Sequence, residues 1–171
     1  MLLKAAEHMK MARAQRALYQ EKVDDAVADA KARRPHSEKQ YTFVVGYYSK
    51  ERPGVTYYYS PLSIYNLGVV HHAHEYDDGQ VKEHLHAHFY HEGTGEKGAK
   101  NVSLLIMKTL GDLNLLHEDS IGGELNIIFD NCPGQNKNNT VLKQVVWLGE
   151  LGYFKSINFI FLVVGHTKKC G

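Results

Sequence analysis

The chain has few of the features that mark secreted or membrane proteins. Its 171 residues include only two cysteines, Cys132 and Cys170, too few and too far apart in sequence for a disulfide framework. The longest apolar run, from Ile157 to Gly165, is too short to span a bilayer and is interrupted by Asn158. The charged N-terminus lacks the apolar core of a signal peptide. We therefore expect no membrane association and an intracellular protein, nuclear or cytoplasmic.

Net charge and sequence repeats also say little about function. The formal net charge is +1, which makes no global electrostatic case for nucleic acid, although a local basic patch is compatible with it. No block of like charges, internal repeat or low-complexity linker is present. The length suits one domain with a real core and one appended element. We expect an N-terminal helix in residues 1–35 and a single domain in residues 40–171.

The first segment has a helical composition. Residues from Leu2 to about Ala32 are rich in Ala, Lys, Arg, Glu and Gln, and Pro35 closes the segment. Its apolar stripe is thin, which predicts a helix that lies on a surface rather than within a core.

Strand patterns follow. Apolar and β-branched runs predict strands at Tyr41 to Val45, Val55 to Ser60, Ile64 to about His74 and Glu83 to His91. Successive strands of this kind are typical of an antiparallel meander. The periodic apolar residues between Glu96 and Leu113 then predict a helix.

A strand, a helix and a second strand complete the pattern. The apolar run ending at Phe129 predicts a buried strand, and residues from Asn139 predict a helix capped by Asn139 or Thr140 and ended by Gly152. Ile157 to Val164 predicts the second strand. Because such crossovers are right-handed, the two strands should run parallel, with their carboxyl ends at one edge. Six residues of this unit are predicted to form core: Ile127, Phe129, Val145, Trp147, Phe159 and Phe161.

Asp130 is the main candidate site residue. It follows the first strand of this unit, and His166 follows the second, so both should face the crevice where open α/β sheets bind ligands. A carboxylate with neighbouring Asn and Gln amides suits a hard cation with oxygen ligands. The simpler alternative is that Asp130 only caps the following turn.

Histidines form a second candidate. His84, His86 and His88 alternate, so they should project from one face of a strand, opposite the apolar Leu85, Ala87 and Phe89. Three imidazoles in this pattern raise the hypothesis of a zinc site, to which His71, His72 and His74 could contribute if the preceding strand pairs with this one. The alternative is a polar, partly exposed strand face.

Three motifs together resemble a known family. They are the run Asp130-Asn-Cys-Pro-Gly-Gln-Asn-Lys-Asn-Asn139, the later Gly165-His166-Thr167-Lys168, and Tyr57-Tyr-Tyr-Ser-Pro-Leu-Ser-Ile-Tyr-Asn-Leu-Gly68. The chain resembles, over nearly its whole length, a transposase-derived family with an RNase H-like, integrase-like domain, found in transposable-element proteins. The resemblance implies an α/β fold: an RNase H-like mixed sheet, with an antiparallel meander and then a βαβ unit. It also implies motif roles for Asn131, Gly134, Gln135, Asn136, Asn138, Gly165 and Thr167.

The same resemblance implies metal-dependent phosphoryl transfer on DNA. Such folds hold two divalent ions, Mg²⁺ or Mn²⁺, between several carboxylates. Asp130 matches the acid of the central strand, with His166 nearby. The family's first acid normally ends the first strand, but here the strand passes straight to Gly46-Tyr47-Tyr48. A further acid is expected beyond Thr167, and the chain stops at Gly171; Glu92 is a weak substitute ligand.

We therefore expect a truncated, incomplete and inactive copy of a nuclease domain. For its cofactor the two alternatives are the family's Mg²⁺ or Mn²⁺ and no ion at all. An alternative from another class is a noncatalytic module that binds nucleic acid or protein. A third hypothesis makes Cys132 the nucleophile of a hydrolase, with His166 as its base. Against it, Pro133 removes a backbone N–H that could have stabilised an oxyanion.

Overall fold

The computed structural model describes residues 2–47, 63–116, 121–132 and 134–163, with the backbone alone for residues 2–5. The predicted strand at Val55 to Ser60 and the motif around His166 lie outside these ranges. The elements are α1 (Leu2–Lys31), a short 3₁₀ helix (His36–Glu38), β1 (Gln40–Tyr47), β2 (Ile64–Glu75), β3 (Val81–His91), α2 (Ala99–Asp112), β4 (Gly122–Phe129), α3 (Asn139–Glu150) and β5 (Phe154–Phe161).

The five strands form one mixed sheet in the order β3-β2-β1-β4-β5. The β1–β2 and β2–β3 pairs are antiparallel, whereas β1–β4 and β4–β5 are parallel. This arrangement confirms the predicted α/β fold, an RNase H-like mixed sheet in which a meander is followed by a βαβ unit. The N-terminal helix is also confirmed. The carboxyl-terminal ends of the parallel strands β1, β4 and β5 lie at the same end of the sheet, which we call the carboxyl edge.

The core lies between the sheet and the α2–α3 layer. Side chains at alternate positions of β1 and β4, including Phe43, Ile127 and Phe129, are buried against Ile106 of α2 and Leu148 of α3. Burial of one such side chain stabilises the fold by roughly 1.5–3 kcal/mol. β4 is buried along almost its whole length, as expected for a central strand covered on both faces.

Helix α1 covers the other face of the sheet and runs antiparallel to β1 and β4. Gln15 bonds the backbone of Phe161 and Val163, at the end of β5. Lys22 pairs with Glu124 at 2.7 Å, near the start of β4, and Asp29 accepts a hydrogen bond from the N–H of Gln40. Helix α1 is thus held by polar contacts as well as by its alanines, which explains its thin apolar stripe. No helix in the described part of the chain is long and apolar enough to cross a membrane.

Several details of the predicted βαβ unit were wrong. Strand β5 begins at Phe154, three residues before the predicted start. Trp147 is 51% exposed, because helix α3 turns Val141, Gln144 and Leu148 toward the sheet. Ile127 and Phe129 are fully buried as predicted, and Phe159 and Phe161 pack against the core while partly exposed. Val145 is also partly exposed.

The cap of α3 is Asn138, not Asn139 or Thr140 as the sequence suggested. Its side-chain oxygen accepts hydrogen bonds from the N–H groups of Thr140 at 3.0 Å and Val141 at 3.1 Å. This satisfies two backbone donors that no helical carbonyl can reach. Four polar residues in a row made the cap position ambiguous in the sequence.

Replacing Asn138 by Ala should therefore destabilise the fold by about 1 kcal/mol, and lower the melting temperature by roughly 2–4 °C. Asn139→Ala is the matched control, because Asn139 is exposed and its side chain does not cap the helix. We expect that control to change the unfolding free energy by less than about 0.5 kcal/mol. Equal losses in the two variants, measured by urea unfolding, would contradict the assignment.

Candidate functional site at the carboxyl edge

Asp130 directly follows β4 at the carboxyl edge, and its side chain is hydrogen-bonded by the buried side-chain amide of Asn136. The Nδ2 group of Asn136 donates a hydrogen bond to Oδ1 of Asp130. Asn136 is 1% exposed, and its own Oδ1 is buried without a hydrogen-bond partner among the described residues. Asp130 itself is only partly buried. The site therefore offers one oriented carboxylate and one free amide oxygen.

The turn after Asp130 is organised by a single carbonyl. The backbone oxygen of Cys132 accepts hydrogen bonds from the N–H groups of Gln135, Asn136 and Lys137, at 2.8 to 3.3 Å. This fixes Asn136 beneath Asp130 and delivers the chain to the cap of α3. Gly134 is exposed, and Asn131 and Gln135 are partly buried. The amide-rich motif thus has a clear structural role, whatever its chemistry.

Gly46 is the neighbour of Asp130 on the adjacent strand. The parallel register pairs Val44 with Ile128 and Val45 with Phe129. Continued by one residue, it places Gly46 beside Asp130. A Cβ built at Gly46 would meet no atom within 4 Å, so the position has room for a side chain that it lacks. The sequence identified Gly46 only as a departure from the family pattern, and the register gives that departure its location.

The other candidate ligands are not brought to Asp130. Glu92 follows β3, whose end lies three strand positions from β4, about 14 Å at ordinary strand spacing. Within the described ranges, no group of three or more His, Cys, Asp or Glu side chains is arranged to hold a metal ion.

The predicted pairing of Cys132 with His166 stays a prediction. Cys132 is a free, partly buried thiol. His166, Gly165 and Thr167 lie outside the described residues. The structure gives Cys132 a role in closing the turn through its backbone carbonyl.

A histidine cluster occupies a separate part of the sheet. We use this name for His71 and His74 of β2 with His84 and His86 of β3. Ring centroids are 4.6 Å apart for both His74–His84 and His84–His86, and 5.6 Å apart for His71–His74. An irregularity in the register between His71 and His74 brings side chains three positions apart to one face. The predicted approach of β2 histidines to the β3 face is thereby observed for two of the three.

Neighbouring histidines have ordinary partners. His88 shares a hydrogen bond of 2.8 Å with Thr109 of α2, and His84 shares one of 2.8 Å with Tyr76. His72 lies on the opposite face, between Tyr19 and Glu83. The apolar side of β3 is not covered, since Leu85 is 49% and Phe89 is 68% exposed.

His71 is the unusual member of the cluster. It is 6% exposed, its ring stacks on Phe43 at 4.6 Å, and neither ring nitrogen has a hydrogen-bond partner among the described residues. Burial, followed by repulsion from the neighbouring histidines, lowers the pKa of His71 to about 3. Burial likewise lowers the pKa of His86 to about 4. Both imidazoles are therefore neutral near pH 7.

Comparisons with known proteins give one family and one structural likeness. Residues 59–169 match the model of the family described as Domain of unknown function (DUF7869). A search of curated proteins found no match. Among solved structures, RNase H1 from the halophilic archaeon Halobacterium salinarum NRC-1 is similar, at 10% identity and a TM-score of 0.33, over 71% of this chain and 84% of that one.

The histidine cluster predicts acid sensitivity. Because the pKa of His71 is lower in the folded chain than the usual 6.5, the unfolded chain binds more protons below about pH 6.5. The stability due to neutral His71 is complete above that pH and is lost as the pH falls toward about 3. One proton of difference costs about 1.4 kcal/mol per pH unit.

His71→Phe should flatten this part of the pH dependence, since a phenyl ring can stack on Phe43 without a protonation site. Urea unfolding at pH values between about 7 and about 5 would measure the difference from the unmodified chain. His91→Phe, at an exposed position of β3, is the control. If His71→Phe and the unmodified chain lost stability in parallel, His71 would not be the acid-sensitive group.

Proposed function

This chain belongs to the DUF7869 family, and we propose that it is a nucleic-acid-binding domain on the scaffold of a metal-dependent phosphoryl-transfer enzyme, with an incomplete catalytic centre. The observation that carries the proposal is the parallel register of β1 and β4, which pairs Val45 with Phe129 and, continued by one residue, places Gly46 beside Asp130. A two-ion enzyme needs a second carboxylate beside the first, but Gly46 carries no side chain that could supply one.

The donor set at Asp130 does not fit two divalent ions. Two-ion centres hold their metals about 3.5–4 Å apart, between carboxylates that offset the ionic charge. The described residues supply one carboxylate and the amide oxygen of Asn136. A single negative charge leaves most of the charge of two Mg²⁺ or Mn²⁺ ions without protein ligands. We therefore derive no catalytic step through a metal.

The amide-rich motif after Asp130 agrees with descent from transposase-like nucleases. In this proposal DNA is the ancestral substrate, and what remains is a site where nucleic acid meets the carboxyl edge. The turn that supports Asp130 also caps α3 and closes the core. The fold therefore needs this turn whether or not the site is catalytic.

Restoring the missing carboxylate tests the proposal. Gly46→Asp should create a divalent-ion site with Asp130, because the strand backbone is extended there and the added side chain meets no obstacle. We expect Mn²⁺ affinity to rise at least about tenfold, equivalent to about 1.4 kcal/mol, in calorimetric titrations. Gly46→Asn is the control of equal size without charge.

Adding Asp130→Ala to Gly46→Asp should remove the gain. The same samples would be assayed for cleavage of single-stranded and duplex DNA. Tight Mn²⁺ binding by the unmodified chain, lost in Asp130→Ala and accompanied by cleavage, would overturn the proposal of an incomplete centre. Equal Mn²⁺ affinity in Gly46→Asp and Gly46→Asn would show that position 46 does not neighbour the site.

A further inference from the structure

Two lysines stand at the carboxyl edge, each just before a helix. Lys97 precedes Gly98, the cap of α2, and Lys137 precedes Asn138, the cap of α3. The Lys97 ammonium lies 5.2 Å from the ring centroid of Tyr47, and the Lys137 ammonium lies 5.9 Å from that of Phe161. Contact with an aromatic face locates each ammonium group without neutralising its charge.

The sheet order places these lysines on either side of Asp130. Tyr47 ends β1 and Phe161 ends β5, while Asp130 follows β4, the strand between them. The two aromatic anchors are thus separated by two strand spacings, about 10 Å. Both rings pack against the α2–α3 side of the core, so both lysines lie on that side of the carboxyl edge.

Both ammonium groups remain available to bind an anion. Both lysines are exposed, and within the described ranges neither forms an ion pair. Helices α2 and α3 also begin at this edge, and neither has an acidic residue in its first turn. The N-terminus of a helix carries partial positive charge from unpaired N–H groups, which adds to the attraction of the lysines for anions.

We infer that Lys97 and Lys137 bind phosphates of a nucleic-acid backbone on the two sides of Asp130, by charge and without a divalent ion. The inference rests on the proposed function and names the surface that performs it. In a complete two-ion centre, metal ions would attract the phosphates to this edge. Here the two ammonium groups supply that attraction, and Asp130 opposes it because its carboxylate adds negative charge at the same edge.

Salt dependence of DNA binding in the presence of EDTA tests the inference. Fluorescence anisotropy would follow a labelled single-stranded DNA and the matching duplex over a range of NaCl concentrations. Each phosphate contact contributes about −0.7 for single strands, or about −0.9 for B-DNA, to the slope of log K against log salt. Lys97→Gln and Lys137→Gln should each make the slope shallower by about that amount, and the double variant by about twice as much.

Lys82→Gln is the matched control. Lys82 is an exposed lysine near the start of β3, at the end of the sheet opposite the carboxyl edge. It should leave the slope unchanged. Asp130→Asn should bind DNA in EDTA as well as or better than the unmodified chain, because it removes a negative charge between the lysines. These results together would support metal-free phosphate binding.

Two outcomes would overturn the inference in different ways. If the unmodified chain binds DNA but the lysine variants keep its affinity and slope, the surface is wrong while the proposed function stands. If the unmodified chain binds neither DNA, the proposed function fails as well. Binding that requires Mg²⁺ and is lost in Asp130→Asn would replace the lysines with a metal and contradict both proposals.

Discussion

The parallel pairing of β4 between β1 and β5 is the constraint on which the rest of the structure depends. β4 is covered on both faces, and Leu125, Ile127, Ile128 and Phe129 have no exposed surface. A strand buried in this way cannot slip by one residue without moving polar groups into the core. The register fixed by this burial pairs Val45 with Phe129 and, continued by one residue, places Gly46 beside Asp130.

The chemistry of the carboxyl edge follows from this register and from the start of two helices at the same place. A sheet edge that receives a carboxylate from each of two neighbouring strands concentrates negative charge and can hold cations. With Gly46 in one of those positions, the edge keeps one carboxylate beside two helix N-termini and two lysines. Its electrostatic preference then moves from metal ions toward anions. The proposed phosphate binding and the proposed lack of a two-ion centre both rest on this one arrangement.

Much of the fold could be predicted because its elements have strong local signals. The alternation in β3 and the apolar run of β4 each fit one type of strand, and the strand–helix–strand unit implied parallel pairing. Trp147 was misplaced because helix α3 has apolar residues on more than one side, and periodicity alone could not identify the buried one. The burial of His71 depends on its stacking on Phe43 of a different strand, so no local pattern could reveal it.

The most direct test of the central claim is anomalous diffraction from a crystal of the unmodified chain soaked in Mn²⁺. The account predicts no pair of Mn²⁺ ions at Asp130, because Gly46 supplies no second carboxylate. Two anomalous peaks about 3.5–4 Å apart, bridged by Asp130 and other carboxylates, would contradict it and identify a working two-ion centre.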